Sequence, residues 1–475
     1  MVLQLSNHRF SIRYLHPSLR KMSLETLAPE LVSLILQNVD SPRGLHDLIT
    51  ASPACLRTFS QAPLLTLSAV IRNTLPAETT RYFLAVLQTP SPSTTSLVSQ
   101  FLDKHFDAYS SFDFPTTKAD IISLYQLYNR VTFIITRYLY QLQELGLGES
   151  ILAPSDSEWI RLQRAFLQFE IYSRVFPADN TYPWETPSPN HEFSDVEQYD
   201  LFLSRLAPWE VEEMNCVEQY FSVLIDEFIY QLQEQVIDAV KECTGILWPS
   251  SAGSTEAEEM ERKEEGDKIH DQKNLWDFKA LDLTDLAFFS EDDIYRSRDY
   301  ISYMTSLGLD FIYNLCVSDG KRSELIRSNS PYSRQFLPEA LRQSPSWIRE
   351  IRGVYRHPEY DAEDSPHQHN LGWHLYRMDP NFGAIWDGVR PLNCDYTALR
   401  HLGYVFWDSG RIRSSEVSER LEAARKGTLE LGQSDTRRRK GLEETFKGVR
   451  LPRDQFKELE KRFGPITRPL PEGWE

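Results

Sequence analysis

Four histidines, His357, His367, His369 and His374, fall within eighteen residues, beside Glu359, Asp361, Glu363 and Asp364. Imidazole and carboxylate are the ligand types of zinc and iron sites. A metal-dependent enzyme using the His357–His374 stretch is therefore the one chemistry that residue types alone put forward. The spacing opposes it. Sites of the HExxH kind hang two ligands on one helix face, and the sequence holds no such pair. Pro345, Pro358 and Pro366 give this region the look of a solvated loop.

Other reactive residues lack a frame. The sequence contains no GxSxG elbow, no papain-type or caspase-type cysteine signature and no Gly-rich phosphate loop. Cys55, Cys216, Cys243, Cys316 and Cys394 are far apart and odd in number, which fits small buried thiols in a reducing compartment. The acid pairs Glu212-Glu213 and Asp292-Asp293 read as solvated helix starts. The sequence thus predicts no catalytic residue, no bound metal, no cofactor and no enzyme activity. Arg437-Arg438-Arg439-Lys440 has the composition of a nuclear-import signal or of a solvated tail.

Composition narrows the partners. The 475 residues carry a formal charge of −18, 41% apolar residues and 12% aromatics. That is a globular composition, and its acidity argues against nucleic acid, whose phosphates call for clustered Lys and Arg. No apolar run reaches the roughly 20 residues of a membrane helix. The expected location is cytoplasmic or nuclear.

The elements that would position any site are helical, because Gly is scarce and apolar residues recur at helical spacing. Asp120 to Leu145 carries Ile121, Leu124, Tyr128, Val131, Ile135, Tyr138 and Leu142 on one face and more apolar residues beside it. It should be buried on more than one side, with Gly146 as its stop. Ser155-x-x-Glu158 is a capping box for a helix to Phe176, and Pro208 opens a long helix toward Gly245. The Pro-rich run Tyr182 to Pro189 reads as a turn or extended segment. The sequence divides into a basic, acid-free segment 1–22 and a helical module 23–70. A helical domain follows in two parts, 71–249 and 275–410, around a disordered acidic insert 250–274, and a polar, charge-rich tail spans 411–475. Residues 1–22 also have the flavour of a transit peptide, unless Met22 is the working start.

The module has a functional shape. Leu27-Ala28-Pro29-Glu30-Leu31 opens a short helix, and Leu31, Leu34, Ile35 and Val39 form an i, i+3, i+4, i+8 stripe. Pro42 and Pro53 break the chain before a second and third helix, with Leu45 and Leu48 on the second. These residues resemble an F-box, a three-helix module whose apolar face docks on a Skp-family adaptor of a cullin-RING ubiquitin ligase. The Arg and Trp frequent in the second half of that family are replaced here by Leu56, Arg57 and Phe59. The closing segment Ala398-Leu399-Arg400-x-x-Gly403-Tyr404-Val405-Phe406-Trp407-Asp408 resembles large helical proteins of filamentous fungi, a group that brings no activity with it.

The resemblance implies a mainly α protein: an F-box-like three-helix module followed by a large irregular helical domain. It implies a non-catalytic adaptor that binds a Skp-family protein through Leu27, Pro29, Leu31, Leu34, Ile35, Val39, Leu45 and Leu48 and presents an unknown client protein for ubiquitination. The competing expectation is a structural or interaction protein whose stripe is buried in its own core and which has no ligase role.

Overall fold

The structure, a computed structural model, describes residues 24–91, 94–107, 109–110, 112–177, 193–247, 278–280, 301–327, 337, 364–377, 396–429 and 449–463. These are almost all helical, so the chain is mainly α. The expected N-terminal segment 1–22, the Pro-rich run 182–189, the insert 250–274, Asp292-Asp293 and Arg437–Lys440 lie outside the described residues. Two compact units contain the chain: residues 1–87 with 113–128, and residues 88–112 with 129–475.

The first unit opens with four helices that each begin at a proline: α1 (Pro29–Gln37), α2 (Pro42–Ala51), α3 (Pro53–Gln61) and α4 (Pro63–Thr74). Proline fits the first helical position because its fixed φ is already helical and the missing N–H had no partner to lose. Ser41 and Ser52 cap α2 and α3 by accepting the Gly44 and Cys55 N–H groups. Val32, Leu36, Leu45, Cys55 and Val70 form the core, with Leu27, Val39, Leu48 and Phe59 packed against it. The three expected helices are joined by a fourth. α4 runs across position 70 and lies on α1, α2 and α3, and its Asn73 side chain donates to the carbonyl oxygens of Gln37 and Val39 at the end of α1. Four short helices tied this way bury more apolar area than three, which such a small unit needs.

With α5 (Ala77–Leu87) in the first unit, the second holds α6 (Thr95–Phe106) and α9 (Asp195–Leu201) and is built around α8 (Asp156–Val175) and α10 (Pro208–Glu242), which pack on each other. Ser155 and Glu158 form the expected capping box. α7 (Lys118–Leu142) gives residues 129–142 to this unit and ends in a turn at Gly146, whose φ of 87° favours glycine. Fifteen of the twenty residues of α8 are buried, so α8 has no solvent face and behaves as a central axis rather than an amphipathic cover.

Further helices surround this axis: α11 (Gly308–Val317), α12 (Arg322–Arg327), α13 (Leu371–Arg377), α14 (Tyr396–His401), α15 (Ser409–Ile412) and α16 (Ser415–Arg425). The segment expected as a polar tail folds in part. Val417, Leu421 and Ala424 of α16 are buried. Phe456, Leu459 and Phe463 of α17 (Arg453–Phe463) pack on Leu232, Val236 and Val240 of α10. A high charge content hid these stripes, because an 11-residue helix needs only three buried positions to dock.

The only sheet among the described residues is antiparallel, β1 (Phe278–Ala280) on β2 (Arg450–Pro452). Leu247 and Arg450 also exchange both backbone hydrogen bonds at 2.9 Å. The two ends of the stretch 248–277 are thus fixed to the same strand. An engineered protease site within 250–274, cut after folding, should leave two fragments that co-elute on size exclusion. Fragments that separate without denaturant would show that the flanking contacts do not hold.

Gly372 in α13 marks the closest approach, because a Cβ there would lie 2.0 Å from the Tyr404 carbonyl oxygen. Gly372→Ala should therefore destabilise the protein by about 3 kcal/mol, as overpacking against backbone does. Gly410→Ala, where a Cβ meets nothing within 4 Å, serves as control in the same denaturant titration. Equal effects of the two substitutions would contradict the packing.

Candidate functional site

The first candidate is the outer face of α1. Five of its nine residues are aliphatic, Leu31, Val32, Leu34, Ile35 and Leu36, so a single stripe cannot hold them all. Val32 and Leu36 point into the core, whereas Leu31, Leu34 and Ile35 are 50%, 55% and 38% exposed. The i, i+3, i+4 spacing puts those three on one face. Leu56, Leu64 and Leu65 are also exposed. Six of the fifteen exposed large apolar side chains among the described residues thus fall between positions 31 and 65.

The eight residues expected at this site divide. Pro29, Leu31, Leu34 and Ile35 are exposed. Leu27, Val39 and Leu48 are half-buried against the module's own core, and Leu45 is fully part of it. Leu45, expected as a contact residue, is 3% exposed on α2 and clusters with Val32 and Cys55 in the module's core. Leu64 and Leu65 fall inside the expected module 23–70 but are not among the residues expected at its docking face. The signal was there, since Thr66 and Val70 at i, i+4 leave Leu64 and Leu65 on the other side.

The approach to α1 is held from below. The Glu25 carboxylate accepts the Ser52 hydroxyl at 2.7 Å and the Ala54 N–H at 3.3 Å, at the start of α3. The Ser52 hydrogen bond, then that of Ala54, holds the Glu25 carboxyl below its ordinary range.

The second candidate is inside the other unit. Glu212 and Glu213, expected as a solvated helix start, are 0% and 1% exposed. This corrects the reading: α10 turns both carboxylates inward because cations wait for them. Arg400 donates to Glu212 through Nε at 2.7 Å and Nη2 at 2.9 Å, and the Tyr404 hydroxyl adds a third bond at 3.1 Å. Arg164 of α8 forks onto Glu213 at 2.7 and 3.1 Å and also reaches the Pro366 carbonyl oxygen. Burial raises the Glu213 carboxyl to about 7, with Arg164 pulling the other way.

The same pattern continues along α8. Arg161 donates to Asp408 at 2.7 Å and to the Phe406 carbonyl oxygen at 2.9 Å. Glu158 receives Arg411 through two bonds of 2.8 Å and the Asp408 N–H at 2.9 Å. Arg164–Glu213 joins α8 to α10, and the other pairs join one of these two helices to residues 400–411. Isolated buried charge costs several kcal/mol, so each group is paired and multiply bonded. This arrangement is a scaffold that fixes chain segments to α8 and α10.

The histidine stretch lies against this scaffold. His357, Glu359, Asp361 and Glu363 are outside the described residues. His367 is exposed, but His369 and His374 are half-buried, with His369 against Trp209 at 5.6 Å and Trp373 at 5.5 Å between ring centroids. Of the expected solvated loop, the described residues 364–370 keep His367 and Gln368 exposed but correct the reading at His369, which packs against two indoles on the way into α13. Burial and then the neighbouring His374 hold the His369 imidazole below its ordinary value. Among the described residues no three His, Cys, Asp or Glu side chains gather as a metal-binding group.

No single helix among the described residues is long and apolar enough to cross a membrane. The chain matches no family model, no curated protein and no solved structure.

One group gives a pH signature. His401, in α14, is 5% exposed, and its Nδ1 makes no hydrogen bond. Burial pushes its imidazole down to about 4, against an ordinary 6.5. Its folded pKa is depressed, so the folded state keeps it neutral while the unfolded chain protonates below pH 6.5. The stability held by the neutral ring is complete above pH 6.5 and is lost as the pH falls to 4, about 3 kcal/mol in all. Unfolding free energies measured across this window should fall more steeply for the wild type than for His401→Gln. Parallel pH profiles would remove His401 from the acid limb.

Proposed function

We propose that this protein is a non-catalytic adaptor. Its N-terminal module docks on a Skp-family protein through the outer face of α1, and the larger unit presents a client for ubiquitination in the cytoplasm or nucleus. The observation that carries the reading is the exposure of Leu31, Leu34 and Ile35 on a helix whose Val32 and Leu36 already serve the core. A monomer gains nothing by keeping three aliphatic side chains in water on one helical face.

Magnitudes set the extent of the interface. Each of these half-exposed side chains offers roughly 1 kcal/mol on burial, about 3 kcal/mol together. A micromolar complex needs about 8 kcal/mol after the costs of association. The three residues are therefore an anchor, and the partner must cover further apolar surface, for which Leu56, Leu64 and Leu65 are candidates.

A second reading, an interaction protein with no ligase role, is favoured by the inward placement of Leu45 and the half-burial of Leu27, Val39 and Leu48. A direct experiment separates the two. The full chain, co-expressed with a Skp-family protein, should co-purify with it. Leu31→Asp plus Ile35→Asp should weaken this at least tenfold, about 1.4 kcal/mol, with thermal unfolding unchanged because both positions face water. Val32→Asp, in the core, should unfold the module. A well-folded wild-type protein that captures no Skp-family partner would overturn the adaptor reading and leave the second one standing.

A further inference from the structure

We draw no further inference here: the strongest candidate, the aromatic cluster of half-buried Trp209, His369 and His374 around the buried Trp373 where α13 meets the start of α10, packs ring against ring at 5.5–6.1 Å and nothing in the structure shows what would cover its outer side.

Discussion

Two arginines on a helix that has no solvent face oblige the rest of the larger unit to come to them. Arg161 and Arg164 lie inside α8, each about 1% exposed, and a guanidinium cannot lose its charge at any ordinary pH. Each needs carboxylates and carbonyl oxygens, and α8 alone cannot supply them. Glu213 comes from α10, and Asp408 and the carbonyl oxygens of Ser365, Pro366 and Phe406 come from segments two hundred residues and more downstream. The fork geometry of the guanidinium fixes direction as well as distance. Glu158 and Glu212 make the reverse demand and draw in Arg411 and Arg400. Apolar packing of Tyr404, Phe406 and Trp407 then fills the space between the pairs. Buried pairs of this kind add little net stability over apolar residues of equal volume, but breaking one is costly. Their directional bonds tie residues 364–366 and 400–411 to fixed points on α8 and α10.

The N-terminal module follows a different logic. It buries few charges and relies on proline starts, serine caps and a small aliphatic core. Its α1 carries more aliphatic residues than one core can use. The surplus defines the face on which the adaptor reading depends, and the core residues on α1 hold that face in place. Under the proposed adaptor function, docking and folding fall to different residues of one nine-residue helix: Leu31, Leu34 and Ile35, which are exposed, for the first, and Val32 and Leu36, which are buried, for the second.

The legible parts of this chain are those whose physics is local. The capping box at Ser155 and Glu158, the stop at Gly146 and the proline starts at 29, 42, 53 and 208 each depend on residues within one turn. The mainly α character follows from the same signals. Long-range burial was not legible. Glu212-Glu213 looks like any solvated acid pair until Arg400 and Arg164 are placed beside it, and no local feature announces them. α16 and α17 look like a charged tail because their buried positions are few. His369 looks solvated until Trp209, 160 residues earlier, is seen to cover it. At α1 the helix was legible, but the division of its residues between inside and outside was not, since five aliphatics in nine positions admit either face.

The central claim is that desolvated ion pairs hold residues 364–377 and 396–411 on α8 and α10. A double-mutant cycle on Glu212 and Arg400, followed by denaturant unfolding of Glu212→Gln, Arg400→Met and the double variant, tests it most directly. Each single substitution should cost about 3 kcal/mol or more by stranding a buried partner. The double variant should cost little more than either, for a coupling of at least about 2 kcal/mol. Additive losses with a coupling near zero would show that the pair is incidental and that apolar packing alone holds the region.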